Sequence, residues 1–291
     1  HVGDHLKTLS HTRAGLGLYS ASQHSGSMNV YGDHDAGVCG HVHDAHTHWC
    51  LGNLEQAVKS RDDSLELARN LNHPPSLLLA ETHAAMLSQF LAERERVRES
   101  AERVIALSIE HEVMSWHSNG EILLGWVEAI EGNLSGFERM AQGVATRESA
   151  GSRLRQTYFL AIYAEQLISA GRLDAAKVAL EGGIQCLELA RERRWEPLLR
   201  IVQGDLALAL TDPPTAVQCY ETAIGVAKHQ QALSFELVAR CRLSSLWADG
   251  QNAADGLASL QSTYEKFTEG LHFAPLRAAE ALLDKASPQP L

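Results

Sequence analysis

Apolar residues recur at three- and four-residue spacing along almost the whole chain, as in Leu173, Ala176, Leu180, Ile184 and Leu187. That spacing places side chains on one face of an α-helix. No stretch alternates apolar and polar residues for long, so strands are not expected. Helices are predicted over Gly3 to Leu18, Leu54 to Asn70, Leu173 to Arg191 and Ala216 to Lys228, whereas Ser20 to Gly32, rich in Ser, Gly and His, reads as a loop. Between the helical stretches a turn returns at an almost constant interval. The turns are Gly52-Asn53-Leu54, Ala92-Glu93-Arg94, Gly132-Asn133-Leu134, Gly171-Arg172-Leu173 and Thr211-Asp212-Pro213, and Gly250-Gln251 extends the series with the same spacing.

Seven residues before each of the first five turns stands a small residue: Ala45, Ala85, Gly125, Ala164 and Gly204. A small side chain at a fixed register lets a second helix approach closely. Each unit is therefore helix, turn, helix, and the units must stack to bury their apolar faces. The expected fold is all-α: a right-handed superhelical solenoid of antiparallel helix pairs, with the first helices lining a concave groove. Residues 1–32 read as an incomplete first repeat, 33–286 as about six helix pairs, and 287–291 as a tail.

The small residue before a turn, followed by an Ala-rich second helix, resembles the tetratricopeptide repeat in a form longer than its usual ~34 residues. The chain is more closely similar to the repeat region at the C-terminal end of bacterial multidomain signalling proteins. Those proteins join an adenylate/guanylate cyclase-like or DNA-binding domain to a predicted ATPase. The residues that carry the likeness are Tyr31-Gly32-Asp33-His34-Asp35-Ala36-Gly37-Val38-Cys39, Trp49 to Gly52, Gly125-Trp126, Tyr158-Phe159-Leu160-Ala161, Trp195-Glu196 and Phe267-Thr268-Glu269-Gly270, within about residues 28–286. The resemblance implies an interaction or sensing scaffold without a catalytic motif of its own. No G-x-x-x-x-G-K-[ST] is present.

Composition narrows the partners. With 25 Lys+Arg against 36 Asp+Glu the net charge is -11, which disfavours direct nucleic-acid binding and a basic membrane surface. No apolar run reaches the ~20 residues of a membrane span. Five scattered cysteines do not form a disulfide framework, so a reducing, cytoplasmic setting is expected. The chain opens on His1 without a Met or a leader pattern, which reads as a processed or excised start.

Of the 15 histidines, nine lie at or before His48. Where the similar family has apolar residues, this chain reads Gly40-His41-Val42-His43-Asp44-Ala45-His46-Thr47-His48-Trp49-Cys50. At ~100° per residue, Cys39, His43, His46 and Cys50 share one stripe, and His41, Asp44, Ala45 and His48 the opposite one. His83 takes the register of His43 one repeat later. His43, His46 and His83 are thus the candidate ligands of a transition metal, Zn or Cu, with Fe or Ni also suited to imidazole. His34, His41, His48, His117 and Asp44 are secondary candidates, and Asp44 or Asp35 would orient a ligand ring. Cys39 and Cys50 read as small buried hydrophobes.

The same register lines up Trp126, Glu165 and Asp205 with His46, and Asn119 and Tyr158 with Cys39. These residues are the candidate groove lining for a small molecule or a protein partner. The mixed-charge run Arg94 to Arg103 reads as a solvated helix face, and Arg191-Glu192-Arg193-Arg194 as a helix end. Three functions are consistent with the residues. The first is a repeat binding protein with a His-rich metal site. The second is a metal-dependent hydrolase or oxygenase on the same scaffold. The third is a plain protein–protein scaffold of a signalling or transcriptional regulator.

Overall fold

A computed structural model describes residues 2–24, 33–248 and 250–286. Tyr31, Gly32, His1 and the tail at 287–291 lie outside these residues. The chain is all-helical, with no strand among the described residues. It divides into two compact units, one of residues 5–49 and 54–153, the other of residues 1–4, 50–53 and 154–291.

In the first unit, α1 (His5–Leu18) and the short α2 (Ala21–His24) precede α3 (Ala36–Leu51), α4 (Leu54–Leu71), α5 (Pro74–Phe90), α6 (Arg94–Glu110), α7 (Met114–Ile130) and α8 (Leu134–Ser149). Of the stretch predicted as a loop, Ser20 to Gly32, the described part contains a short helix, and residues 25–32 lie outside the described residues. Sequence neighbours pack together from α4 to α8, and α5 also packs on α7, the next first helix. Val38, Val42, Leu65, Ala68, Leu79, Ala80 and Ala84 form one buried cluster.

The second unit holds α9 (Gln156–Ser169), α10 (Leu173–Ala190), α11 (Glu196–Ala209), α12 (Pro213–Gln230), α13 (Leu233–Trp247), α14 (Ala253–Tyr264) and α15 (Ala274–Ala286). Here too each helix packs on the next, and the first helices α9, α11 and α13 touch in succession. Tyr158, Phe159, Trp195, Tyr220 and Phe235 are its largest fully buried side chains.

The turns have a finer rhythm than the sequence suggested. Gly52, Ala92, Gly132, Gly171 and Thr211 all have left-handed backbone. So do Asn72, Glu112, Gly151, Arg191 and Gln231, which stand midway between them. A left-handed residue thus ends each helix from α3 to α12 at an even interval, shortened by a single position between Gly132 and Gly151. The next amide reaches back to a carbonyl five residues earlier, as in Glu93 N–H to Ser88 (2.9 Å), Val113 to Ser108 (3.0 Å), Arg172 to Leu167 (2.8 Å) and Asp212 to Ala207 (2.9 Å). This Schellman closure satisfies carbonyls that the helix end leaves over.

The small residues seven before the turns are buried at helix crossings. A Cβ on Gly125 would meet the Gly136 carbonyl oxygen at 2.7 Å and Met140 Cγ at 2.8 Å. At Gly204 the missing Cβ leaves room for the Tyr220 ring, whose hydroxyl then reaches Asp205 at 2.7 Å.

Candidate functional site

α3 begins at a well-formed cap. Asp35 Oδ1 accepts from the Val38 amide at 3.0 Å, Oδ2 accepts from the Tyr19 hydroxyl at 2.9 Å, and its own amide donates to Ser76 Oγ at 2.8 Å. Asp35 therefore starts the helix and is not available to orient an imidazole. Asp44 is also taken up: it accepts from Thr12 Oγ1 at 2.9 Å and Ser60 Oγ at 2.8 Å, and lies 3.4 Å from His48 Nε2.

The three primary histidines do come together. His83 Nδ1 and His46 Nε2 are 3.0 Å apart and share a hydrogen bond, with both side chains buried. Their rings meet edge-on, with centroids 5.1 Å apart, and the His43 ring lies 6.3 Å from His83. Among the described residues no group of three or more His, Cys, Asp or Glu side chains is arranged to hold a metal ion. His46 and His83 are hydrogen-bonded to each other, and the third ring stands farther off.

The secondary histidines have separate surroundings. His41 is half-buried, and burial lowers its pKa against the pull of Asp63 and Asp44. His117 contacts Ser108 Oγ at 3.1 Å and Glu121 at 3.5 Å, apart from the primary set. His34 and His43 line a cavity of about 480 Å³ beside α1, together with His11, His24 and Cys39. Sequence reasoning had no place for His11 and His24 in a site. Cys50 is buried as expected, and burial pushes its thiol up to about 12.

Of the expected groove residues, Trp126, Tyr158 and Asn119 are buried, and Asn119 accepts a hydrogen bond from the Arg147 guanidinium. Tyr158 packs on Phe159 and Trp195, with ring centroids 5.2 Å away in each case. Glu165 and Asp205 behave differently. They converge on Arg242 of α13, whose Nε is 3.2 Å from Asp205 and whose Nη2 is 3.8 Å from Glu165. Three successive first helices thus contribute one charged row, with Tyr220 donating to Asp205 from a second helix.

Arg242 keeps 46% of its side-chain area exposed and Glu165 31%. The enclosed part of Glu165 dominates its proton affinity: burial pushes the carboxyl up to about 7, with Arg242 opposing and Asp205 reinforcing the rise. Burial, and then Asp205, also raises the Tyr220 hydroxyl.

The charged segments read as surface are more engaged than expected. Arg98 reaches Glu131 at 2.6 Å and Arg103 reaches Glu81 at 3.2 Å, so part of that run ties neighbouring helices together. Arg194 and Glu192 are buried, and Glu192 accepts from the Arg155 amide at 2.7 Å and from Trp195 Nε1 at 3.2 Å.

No helix among the described residues is long and apolar enough to cross a membrane. No family model matches the chain. Over 177 residues it is 25% identical to an uncharacterized protein of Rhizobium meliloti (strain 1021), a match that takes in 60% of this chain and 17% of that protein. The chain is similar to a small part of a much longer polypeptide.

Proposed function

We propose that the chain is a tetratricopeptide-like binding module. Its helix pairs stack as a right-handed superhelix, and the first helices form a concave surface for a protein partner or a small molecule. The row Glu165–Arg242–Asp205 carries this reading. A guanidinium left 46% exposed between two carboxylates of neighbouring hairpins is an arrangement suited to contact rather than to packing alone. The proposed setting is the cytoplasm, in a signalling or transcriptional regulator, without direct nucleic-acid or membrane contact. The test is capture of a partner by the intact protein and by Asp205→Lys. Loss from the variant with unchanged circular dichroism is expected, and equal retention by both overturns the groove assignment.

The second part of the proposal is a transition-metal site at His46 and His83, completed by rotation of His43. Two nitrogens on one tetrahedral ion held at ~2.0 Å are about 3.3 Å apart, close to the 3.0 Å of the His46–His83 pair. Zn or Cu would take the place of the shared proton, and Fe or Ni also accept imidazole. Untagged protein equilibrated with Zn or Cu is expected to retain about one ion per chain, lost in His83→Ala. Retention below about 0.2 per chain, with no thermal shift, overturns the metal reading. The cavity lined by His43 favours one further reading, a metal-dependent hydrolase or oxygenase. Turnover of a substrate panel that disappears in His83→Ala would distinguish it from a binding module.

A further inference from the structure

Where α9, α11 and α13 lie in succession, two carboxylates share one guanidinium, and their charges do not balance. Glu165, Asp205 and Arg242 carry one net negative charge when all three are ionised. Arg242 serves both acids, with Nε 3.2 Å from Asp205 Oδ1 and Nη2 3.8 Å from Glu165 Oε1. The Tyr220 hydroxyl donates to that same Asp205 Oδ1 at 2.7 Å. Among the described residues Asp205 Oδ2 is thus left without a hydrogen bond. So are both carboxylate oxygens of Glu165, since 3.8 Å is beyond hydrogen-bonding reach.

Other enclosed carboxylates of the chain are better served. Glu81 accepts from Ser100 at 2.8 Å, Arg103 at 3.2 Å and Arg69 at 3.4 Å. Glu236 accepts from Nε and Nη2 of Arg240, at 3.0 and 2.9 Å. The uncommitted oxygens of Glu165 and Asp205 remain open to contact, because the two side chains keep 31% and 16% of their area exposed.

The missing positive charge identifies the occupant. A second cation would make charge-assisted hydrogen bonds to both acids. An anion would compete with them for Arg242 and meet their repulsion. A lysine ammonium suits the position better than another guanidinium. It is compact, and its three donors turn freely on a flexible stem, so it adapts to acceptors on two different helices.

We infer that the row docks a basic segment of a protein partner, with one lysine ammonium bridging Glu165 and Asp205. The inference rests on the binding-module reading above and names the chemistry of its partner. The same geometry makes docking sensitive to pH. Burial pushes the Glu165 carboxyl up to about 7, with Arg242 of α13 opposing and Asp205 of α11 reinforcing the rise. Tyr158 of its own helix and Tyr220 of α12 are both raised by burial and stay neutral in this range. Glu165 therefore supplies its charge only above about pH 7, and the ammonium is held more tightly at pH 8 than at pH 6.

The test is fluorescence anisotropy of a labelled tetralysine peptide at physiological ionic strength. Saturable binding is expected, weakened about fivefold in Asp205→Asn. Glu188→Gln, which removes an exposed acid of α10, should leave it unchanged. Arg242→Gln should bind the peptide at least as tightly, because a competing cation is gone. From pH 6 to pH 8 the affinity should rise about fivefold in the intact protein and stay level in Glu165→Gln. Equal weakening in Asp205→Asn and Glu188→Gln would reflect only the net charge of -11 and overturns the proposal. So does an absence of tetralysine binding, or a preference for tetraglutamate that is lost in Arg242→Gln. If tetralysine fails while Asp205→Lys still loses its captured partner, the groove stands and only the lysine assignment falls.

Discussion

At the scale of single residues, Glu165 is the group whose chemistry departs most usefully from the ordinary. The folded chain keeps its proton up to about pH 7, whereas an unfolded chain releases it near 4.5. Between those values the folded state binds the extra proton, so stability falls as pH rises through the window and stays lower above it. Glu165→Gln removes that dependence. At pH 8 the variant is expected to be more stable by about 1 kcal/mol, since solvent at the exposed third of the side chain screens part of the charge. At pH 4.5 the two should unfold alike in urea, and a difference that does not change with pH would contradict the shift. Glu165 and Asp205 could be placed on one row from the sequence because they stand one repeat apart. Arg242 could not, because it falls short of the next equivalent position, Ser245, and Tyr220 comes from the other helix of its pair. A similar offset governs the histidines. Register pairs His83 with His43, yet the hydrogen bond joins His83 to His46. Helices that interdigitate place a side chain against a partner one turn away from the equivalent position.

At the scale of elements, the turns were the most legible feature and also the one most incompletely read. Glycine at Gly52, Gly132 and Gly171 advertises a left-handed residue, because it alone adopts that backbone without steric cost. In the alternate series Gly151 and, more weakly, Asn72 carry the same signal, whereas Glu112, Arg191 and Gln231 adopt the conformation with side chains that give none. At Glu112 and Gln231 the closure, Val113 N–H to Ser108 and Ala232 N–H to Ala227, together with the packing of the next helix, overrides the local preference. That override has a measurable cost at Thr211, a β-branched residue with φ of 61° and an exposed position. Thr211→Gly is expected to stabilise the chain by about 0.5–1 kcal/mol, the left-handed penalty less the added entropy of glycine in the unfolded state. A urea midpoint unchanged or lowered would show that Thr211 is not strained. The even series runs as far as Gln231, and the next left-handed residue among the described ones is Gly270. Between them α14 has 12 residues against 18 in α10 and α12. The sequence rhythm alone did not reveal that change.

At the scale of the molecule, the sequence shows one repeating architecture, but the structure resolves two compact units whose main boundary in sequence falls between Arg153 and Leu154, with residues 1–4 and 50–53 grouped with the later unit. Nothing in the apolar pattern marks that boundary beyond the slightly shortened interval just before it, at Gly151. Repetition hides a division because each hairpin satisfies the same local rules on either side. Separate cores have a consequence for cooperativity. In a repeat protein, stability is shared mainly between neighbours, so damage spreads only as far as the coupling between adjoining hairpins carries it. Gly125 offers a clean place to apply such damage. Any side chain there must displace the Gly136 carbonyl, which belongs to a helix backbone and cannot rotate out of the way. Gly125→Val is expected to cost about 2–3 kcal/mol through forced separation of α7 from α8. Hydrogen exchange should then accelerate in α5 to α8, the helices packed on this contact. Amides of α9 to α13 should keep their protection, because their buried side chains, Tyr158, Trp195 and Phe235 among them, belong to the other core. Equal acceleration across both sets would mean that the two units open as one, and that the division seen in their packing is not one of stability.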